Sequence, residues 1–313
     1  FYELALKTAQ ETNDKGSEIS ALSGLGWLNL VSGNYPKAQE MYDKGLVLSK
    51  KTDNVWGIAS LYGDMANLAI STGDYKKAEW LTKQSDSIYK KLDSKESLIS
   101  NQMISGRLAY FQGNFEKSLK DFQEASDAMK KILLYNESLC IALGNQADVL
   151  YQFKRYQEAE KKAQEAYEMA VKIKSERPKA SALGLYGIAL LGQKKYPEAE
   201  KKLQEAYNLS KTLNLTDQLI ANKNYLSELY KQTKQIAKAE QSGNEVITLS
   251  QKIGYDLYIW ETYYRFGLIY REKKDLEKSK DFLKKAVEVL EKMRNSVTGG
   301  ETQSLWHTHR CPF

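Results

Sequence analysis

Small side chains recur every forty residues along almost the whole chain, at Ala38, Ala78, Ser118, Ala159, Ala199, Ala239 and Ser279, with a single gap of 41 between Ser118 and Ala159. Twelve positions before each lies a second small residue: Gly26, Ala66, Gly106, Ala147, Gly187, Ser227 and Gly267. Seven positions after each comes a third, at Gly45, Ser85, Ala125, Ala166, Ala206, Val246 and Ala286, and Ala5 is left over from an earlier unit. A large substituent at Cβ holds neighbouring backbones apart, so small residues in a fixed frame mark close helix packing. The period therefore predicts an array of helical repeats.

A turn falls between the first two markers of every unit. It reads Gly33-Asn34-Tyr35, Gly73-Asp74-Tyr75 and Gly113-Asn114-Phe115, and then Lys154-Arg155-Tyr156, Lys194-Lys195-Tyr196, Lys234-Gln235-Ile236 and Lys274-Asp275-Leu276. Glycine suits the left-handed residue that ends a helix, Asn or Asp tolerates the turn, and the aromatic or aliphatic residue plugs the junction. Each unit is expected to be a helical hairpin.

This pattern, small-x(6)-Gly-x-aromatic-x-x-Ala-x(6)-Ala, resembles that of tetratricopeptide repeat proteins from residue 1 to about 295. The resemblance implies an all-α, right-handed superhelical solenoid of helical hairpins. It departs in period: the familiar unit is 34 residues with a proline after its second helix, and here the helices are longer and that proline is missing. Residues 1–295 are expected to form one array, a partial first unit followed by seven hairpins, and 296–313 a disordered tail. Phe1 falls inside a second helix whose partner is missing, so the chain is expected to be a fragment.

Length alone suggests two domains for 313 residues, but repeats share one continuous core, which predicts a single domain. Two cysteines, Cys140 and Cys311, exclude a disulfide framework and point to a reducing, cytoplasmic setting, with Cys140 packing as a small apolar residue. No run of eighteen apolar residues occurs, so no membrane span is expected. The formal net charge of +6 raises the question of nucleic acid. Lysine pairs such as Lys76-Lys77, Lys161-Lys162, Lys201-Lys202 and Lys284-Lys285 are mixed with Glu160, Glu165, Glu200 and Glu205, the pattern of a solvated face with spaced ion pairs. Nucleic acid is therefore set aside as a partner.

The inner surface of such an array is made by the first helix of each unit. Residues six before, three before, one after and four after the Gly26-type marker share one side of that helix. Along the chain this face reads Ser20, Ser23, Trp27, Leu30; Ser60, Gly63, Asn67, Ile70; Ser100, Met103, Arg107, Tyr110; Ile141, Gly144, Asp148, Tyr151; Ser181, Gly184, Ile188, Leu191; Ala221, Asn224, Glu228, Lys231; and Glu261, Tyr264, Leu268, Arg271. Small residues leave room and rings supply anchors, so the face reads as a groove for a peptide or protein segment. Its blander reading is contact with the next hairpin. The candidate binding residues are Trp27, Leu30, Asn67, Met103, Arg107, Tyr110, Phe111, Asp148, Tyr151, Glu228, Lys231 and Arg271. The family's clamp for a terminal carboxylate is not matched, because Gly63 and Ser23 stand where lysines would be needed.

Catalysis finds little support. Histidine occurs only at His307 and His309, both in the tail, so the helical body offers no histidine base; no phosphate-binding glycine loop follows a strand either. The tail brings His307, His309 and Cys311 close in sequence, but a structural metal site draws ligands from more than one element, so neither metal nor cofactor is expected. The stretch from Val287 to Glu301 is similar to the segment that closes the repeat array in bacterial proteins whose next domain is a CHAT domain, a caspase- and separase-like cysteine peptidase. That domain is absent from this chain, and neither His309 nor Cys311 matches its dyad. The leading expectation is a non-enzymatic scaffold; the alternatives are the regulatory arm of a CHAT-type peptidase, fused or partnered, and the peptide-sensing part of a bacterial signalling regulator.

Overall fold

The computed structural model describes residues 2–253 and 256–296. Fifteen helices account for nearly all of them, and no strand occurs among the described residues. They are α1 (Tyr2–Glu11), α2 (Lys15–Val31), α3 (Tyr35–Lys51), α4 (Val55–Ser71), α5 (Tyr75–Lys91), α6 (Lys95–Phe111), α7 (Phe115–Lys131), α8 (Glu137–Gln152), α9 (Tyr156–Lys172), α10 (Glu176–Gly192), α11 (Tyr196–Thr212), α12 (Thr216–Gln232), α13 (Ile236–Ile253), α14 (Leu257–Glu272) and α15 (Leu276–Ser296). Helix α1 leads, and seven hairpins follow, from α2–α3 to α14–α15. The described residues divide into two compact units, one up to Met129 and one from Lys130 onward. Of the expected tail, Ser296 closes α15 and the rest lies outside the described residues.

The turn inside each hairpin is a left-handed helix stop. Asn34 N–H donates to the Asn29 carbonyl at 2.8 Å and Gly33 N–H to that of Leu30 at 3.0 Å, which satisfies carbonyls the helix end would leave bare. In the first unit the left-handed residue is glycine, with φ of 75° at Gly33, 79° at Gly73 and 74° at Gly113. In the second it is lysine, with φ of 59° at Lys154, 63° at Lys194, 60° at Lys234 and 61° at Lys274. The first unit also caps the following helix with a side chain: Asn34, Asp74 and Asn114 accept from the backbone N–H of Lys37, Lys77 and Lys117. In the second unit Asp275 caps in the same way, accepting from Lys278 N–H at 3.2 Å, whereas Arg155 and Lys195 make no such bond.

The small-residue frame is the seam where the two helices of a hairpin cross. A Cβ placed on Gly26 would lie 2.3 Å from the Tyr42 ring, one on Gly106 2.8 Å from Phe122, one on Gly187 2.6 Å from Leu203 and one on Gly267 2.7 Å from Leu283. Each large partner stands four residues after the hairpin's second marker. Where the first position is Ala66, Ala147 or Ser227 instead, the partner position holds Thr82, Ala163 or Gly243, so volume is traded across the crossing. Tyr42 and Leu203 are fully buried there. Hydroxyls tie the same seam, since Ser227 and Ser279 donate to the carbonyls of Ala239 and Gly267, each at 2.8 Å.

Each unit buries its own apolar cluster. Ile19, Tyr42, Leu61, Leu68, Leu81 and Leu108 belong to the first, and Ile188, Leu203, Leu226, Leu229, Phe266 and Ile269 to the second. Cys140 is buried as well, and burial, with Glu137 adding to it, pushes its thiol up to about 11. It packs as an inert apolar residue.

Candidate functional site

Successive first helices touch one another, α2 with α4 and α4 with α6 in the first unit, and α8 with α10, α10 with α12 and α12 with α14 in the second. Their side chains therefore form a lateral row in each unit, and the row decides which candidate residues remain available.

In the first unit the next hairpin packs against part of the row, while Ser20 and Ser100 stay exposed. A Cβ on Gly63 would sit 3.4 Å from Ile104, and Ile70 is buried in the apolar cluster, with Leu30 and Phe111 packed against it. Two polar links cross between hairpins. Ser23 Oγ donates to Asp64 Oδ2 at 2.6 Å, and Arg107 Nη1 donates to Asn67 Oδ1 at 2.8 Å. Burial pushes the Asp64 carboxyl up to about 6 against the Ser23 hydrogen bond, and burial lowers the Arg107 guanidinium. Trp27 is 44% exposed at the register position that Asn67 and Arg107 occupy in the next two hairpins. Met103 is half-buried, and the Tyr110 ring meets Phe111 and Phe115 edge-on, with centroids 5.6 and 5.5 Å away.

The second unit gathers a denser polar cluster. Arg265, 7% exposed on α14, donates to Glu228 Oε2 at 2.8 Å and to Asn224 Oδ1 at 2.9 Å, while Asn224 Nδ2 donates to Glu261 at 2.9 Å. Lys231 stands 3.8 Å from Glu228. Burial raises the Glu228 carboxyl, but Arg265 and Lys231 outweigh it and leave it below its ordinary value. Glu261 is held above its own by burial, which Arg265 and Asn224 only partly oppose. Tyr151 and Tyr225 face this cluster. Burial pushes Tyr151 up to about 12, helped by Tyr156, Glu228, Asp148 and Glu261, and it raises Tyr225 well above its ordinary value, helped by Tyr258, Asp148, Tyr151 and Glu261. Four first-helix carboxylates and amides, two tyrosines and one guanidinium thus share a half-buried patch.

The candidate residues Asp148, Tyr151, Glu228 and Lys231 meet there, whereas Arg271 is exposed. Ile188 and Leu191 are core. Space at Gly144 and Gly184 is filled, since an added Cβ would meet Leu185 at 3.2 Å and Asn222 at 2.6 Å. Asn224 and Glu261 belong to the predicted face but not to the candidate residues, and three more residues that organise the patches, Asp64, Tyr225 and Arg265, lie outside both. All three stand two positions before the marker, a register position that also holds Gly24, Ile104, Asn145 and Leu185. An ionisable side chain at a position that elsewhere holds Gly24, Ile104 or Leu185 was the available signal.

The lysine pairs lie on second helices and carry ion pairs: Lys162 to Glu165 at 3.1 Å, Lys202 to Glu205 at 3.3 Å, and Lys285 to Asp281 at 2.7 Å. Among the described residues no helix is long and apolar enough to cross a membrane, and no group of three or more His, Cys, Asp or Glu could hold a metal ion. The tail residues His307, His309 and Cys311 lie outside the described residues.

Residues 100–172 and 138–212 match one tetratricopeptide repeat family model, and residues 261–289 match another. No curated protein matches the chain by sequence. Among solved structures, the Rap conjugation gene regulator of the plasmid pLS20, in complex with the Phr* peptide, is 17% identical with a TM-score of 0.72, covering 94% of this chain and 80% of that one. The apo form of RapI is 11% identical with a TM-score of 0.69, covering 89% and 99%, and the apo quorum sensor NprR from B. thuringiensis is 14% identical with a TM-score of 0.68, covering 91% and 80%. The chain carries tetratricopeptide repeats in the matched stretches and has the helical-hairpin solenoid fold of these proteins.

Proposed function

We propose that this chain is a non-enzymatic scaffold that binds a peptide or protein segment on the first-helix faces of its hairpins. The observation that carries the reading is the second unit's patch of Tyr151, Tyr225, Glu228, Glu261 and Arg265, where rings and charged groups are gathered half-buried on one face. Burying charge is costly without exact partners, and a patch that keeps rings beside partly desolvated polar groups offers both anchorage and hydrogen bonds to an extended backbone. No histidine, metal cluster or phosphate loop stands beside it among the described residues to do chemistry.

The neighbours favour one narrower reading, the peptide-sensing arm of a bacterial signalling regulator, since one of them is a gene regulator solved with a peptide and another a quorum sensor. The test is selection from a random peptide library on the immobilised chain, followed by calorimetry with recovered peptides. Tyr151→Ala with Tyr225→Ala is expected to weaken binding at least tenfold, while charge reversal of Lys161 and Lys162 leaves it unchanged. Equal loss from both changes sinks the first-helix assignment in favour of a charged outer surface.

A further inference from the structure

The first unit holds two charged groups that no opposite charge compensates among the described residues. Asp64 receives one hydrogen bond, from Ser23, and Arg107 gives one, to Asn67; neither takes part in an ion pair. Burial alone weakens the charged form of Arg107, and burial opposed only by Ser23 does so for Asp64, so neither group feels a neighbouring counter-charge. A half-buried charge without a partner costs stability, and removing it is the simplest remedy. An acid on α4 and a base on the adjoining α6 thus each remain unmatched.

Their spacing is informative. Asp64 and Asn67 are three residues apart on α4, which places their Cβ atoms about 5–6 Å from each other, and Arg107 from α6 is hydrogen-bonded to Asn67. In an extended strand, side chains at i and i+2 point to the same side and are roughly 6.5 Å apart. Exposed Trp27 continues the row in which Asn67 and Arg107 stand. On the reading that the first-helix faces bind peptides, we propose that this face of the first unit takes an extended peptide segment carrying an acidic and a basic side chain two residues apart, the carboxylate seated on Arg107 and Asn67 and the cation on Asp64.

The test uses the full chain and two libraries of acetylated heptapeptides, one with amidated and one with free C-termini, recovered and sequenced by mass spectrometry. Peptides with Lys or Arg two positions from Asp or Glu are expected to be enriched at least tenfold from the amidated library. Asp64→Asn removes the preference for the basic residue and keeps that for the acidic one, and Arg107→Met does the converse, with Asp64→Glu and Arg107→Lys restoring part of each. Neither neutral variant lowers the melting temperature. Paired-charge preference that survives both substitutions overturns this site while leaving peptide binding elsewhere intact. Recovery only from the free-terminus library overturns the side-chain assignment, because the chain end would then supply the carboxylate. A lower melting temperature in both neutral variants marks Asp64 and Arg107 as structural and also overturns it, whereas recovery of no peptide sinks the broader binding reading as well.

Discussion

The two units build the same forty-residue frame from different polar chemistry. In the first, hairpin turns use glycine with an Asn or Asp cap, and the row of first helices keeps Asp64 and Arg107 without counter-charges. In the second, lysine takes the left-handed position and Arg265 pairs with Glu228 while bonding Asn224. What is common to both is the seam, Gly26 against Tyr42 in one and Gly187 against Leu203 in the other. The frame is therefore set by volume at the crossing, and turns and interior charges are free to differ.

The largest expected break in that comparison comes from Arg265→Met. It leaves Glu228 half-buried without its guanidinium and should cost about 3–5 kcal/mol in denaturant unfolding. Arg107→Met in the first unit should leave stability unchanged or higher, and an equal loss at both sites would show that the two units handle charge alike. Next, Gly187→Leu should cost about 1–3 kcal/mol through overpacking against Leu203, measured as a drop in the denaturation midpoint.

As Glu261 is in the second unit, Asp64 is the burial-raised carboxyl of the first. Its carboxyl is raised from the ordinary value of 3.8 to about 6, with the Tyr42 and Tyr89 hydroxyls facing the same charge, so the folded chain holds this proton more tightly than the unfolded one. Its contribution to stability is greatest below pH 4 and is lost as pH rises through about 6. Melting temperatures of Asp64→Asn and the parent, compared from pH 3 to 8 on matched buffers, should diverge over that window, the variant gaining relative to the parent as pH rises. A constant difference would place the Asp64 carboxyl in ordinary solvent. The smallest effect is at the turns: Lys194→Gly should gain about 0.5–1 kcal/mol by relieving a left-handed side chain, net of the extra freedom glycine adds to the unfolded chain, and Gly73→Lys should lose about as much. Equal stability in both cases would mean the turn residue makes no difference between the units.

The hairpins were legible because their signal is steric. Gly26, Gly106, Gly187 and Gly267 have little freedom to vary where a ring or a leucine lies under 3 Å from any added carbon. The face was legible only in part. Its four-position stripe caught Asn67, Arg107, Tyr151 and Glu228, but Asp64, Tyr225 and Arg265 stand at its edge, where a helix turns from the row toward its neighbour. Whether such an edge residue packs, pairs or stays uncompensated depends on what the adjoining repeat supplies forty residues away, and a pattern read along one helix carries no information about that. The same holds for Gly63, Gly144 and Gly184, whose apparent room is taken by Ile104, Leu185 and Asn222.

The traded volumes at the crossing also constrain how such a chain can be rearranged. Since Gly26 faces Tyr42 while Ala147 and Ala163 occupy the equivalent places, grafting one helix from another repeat would set a methyl against a ring or leave a void where a ring had been. Recombination that preserves folding must therefore move whole hairpins, so the unit of duplication and of engineering in this protein is the helix pair. A single substitution at either partner costs stability until the second follows, so drift within one repeat favours coupled steps.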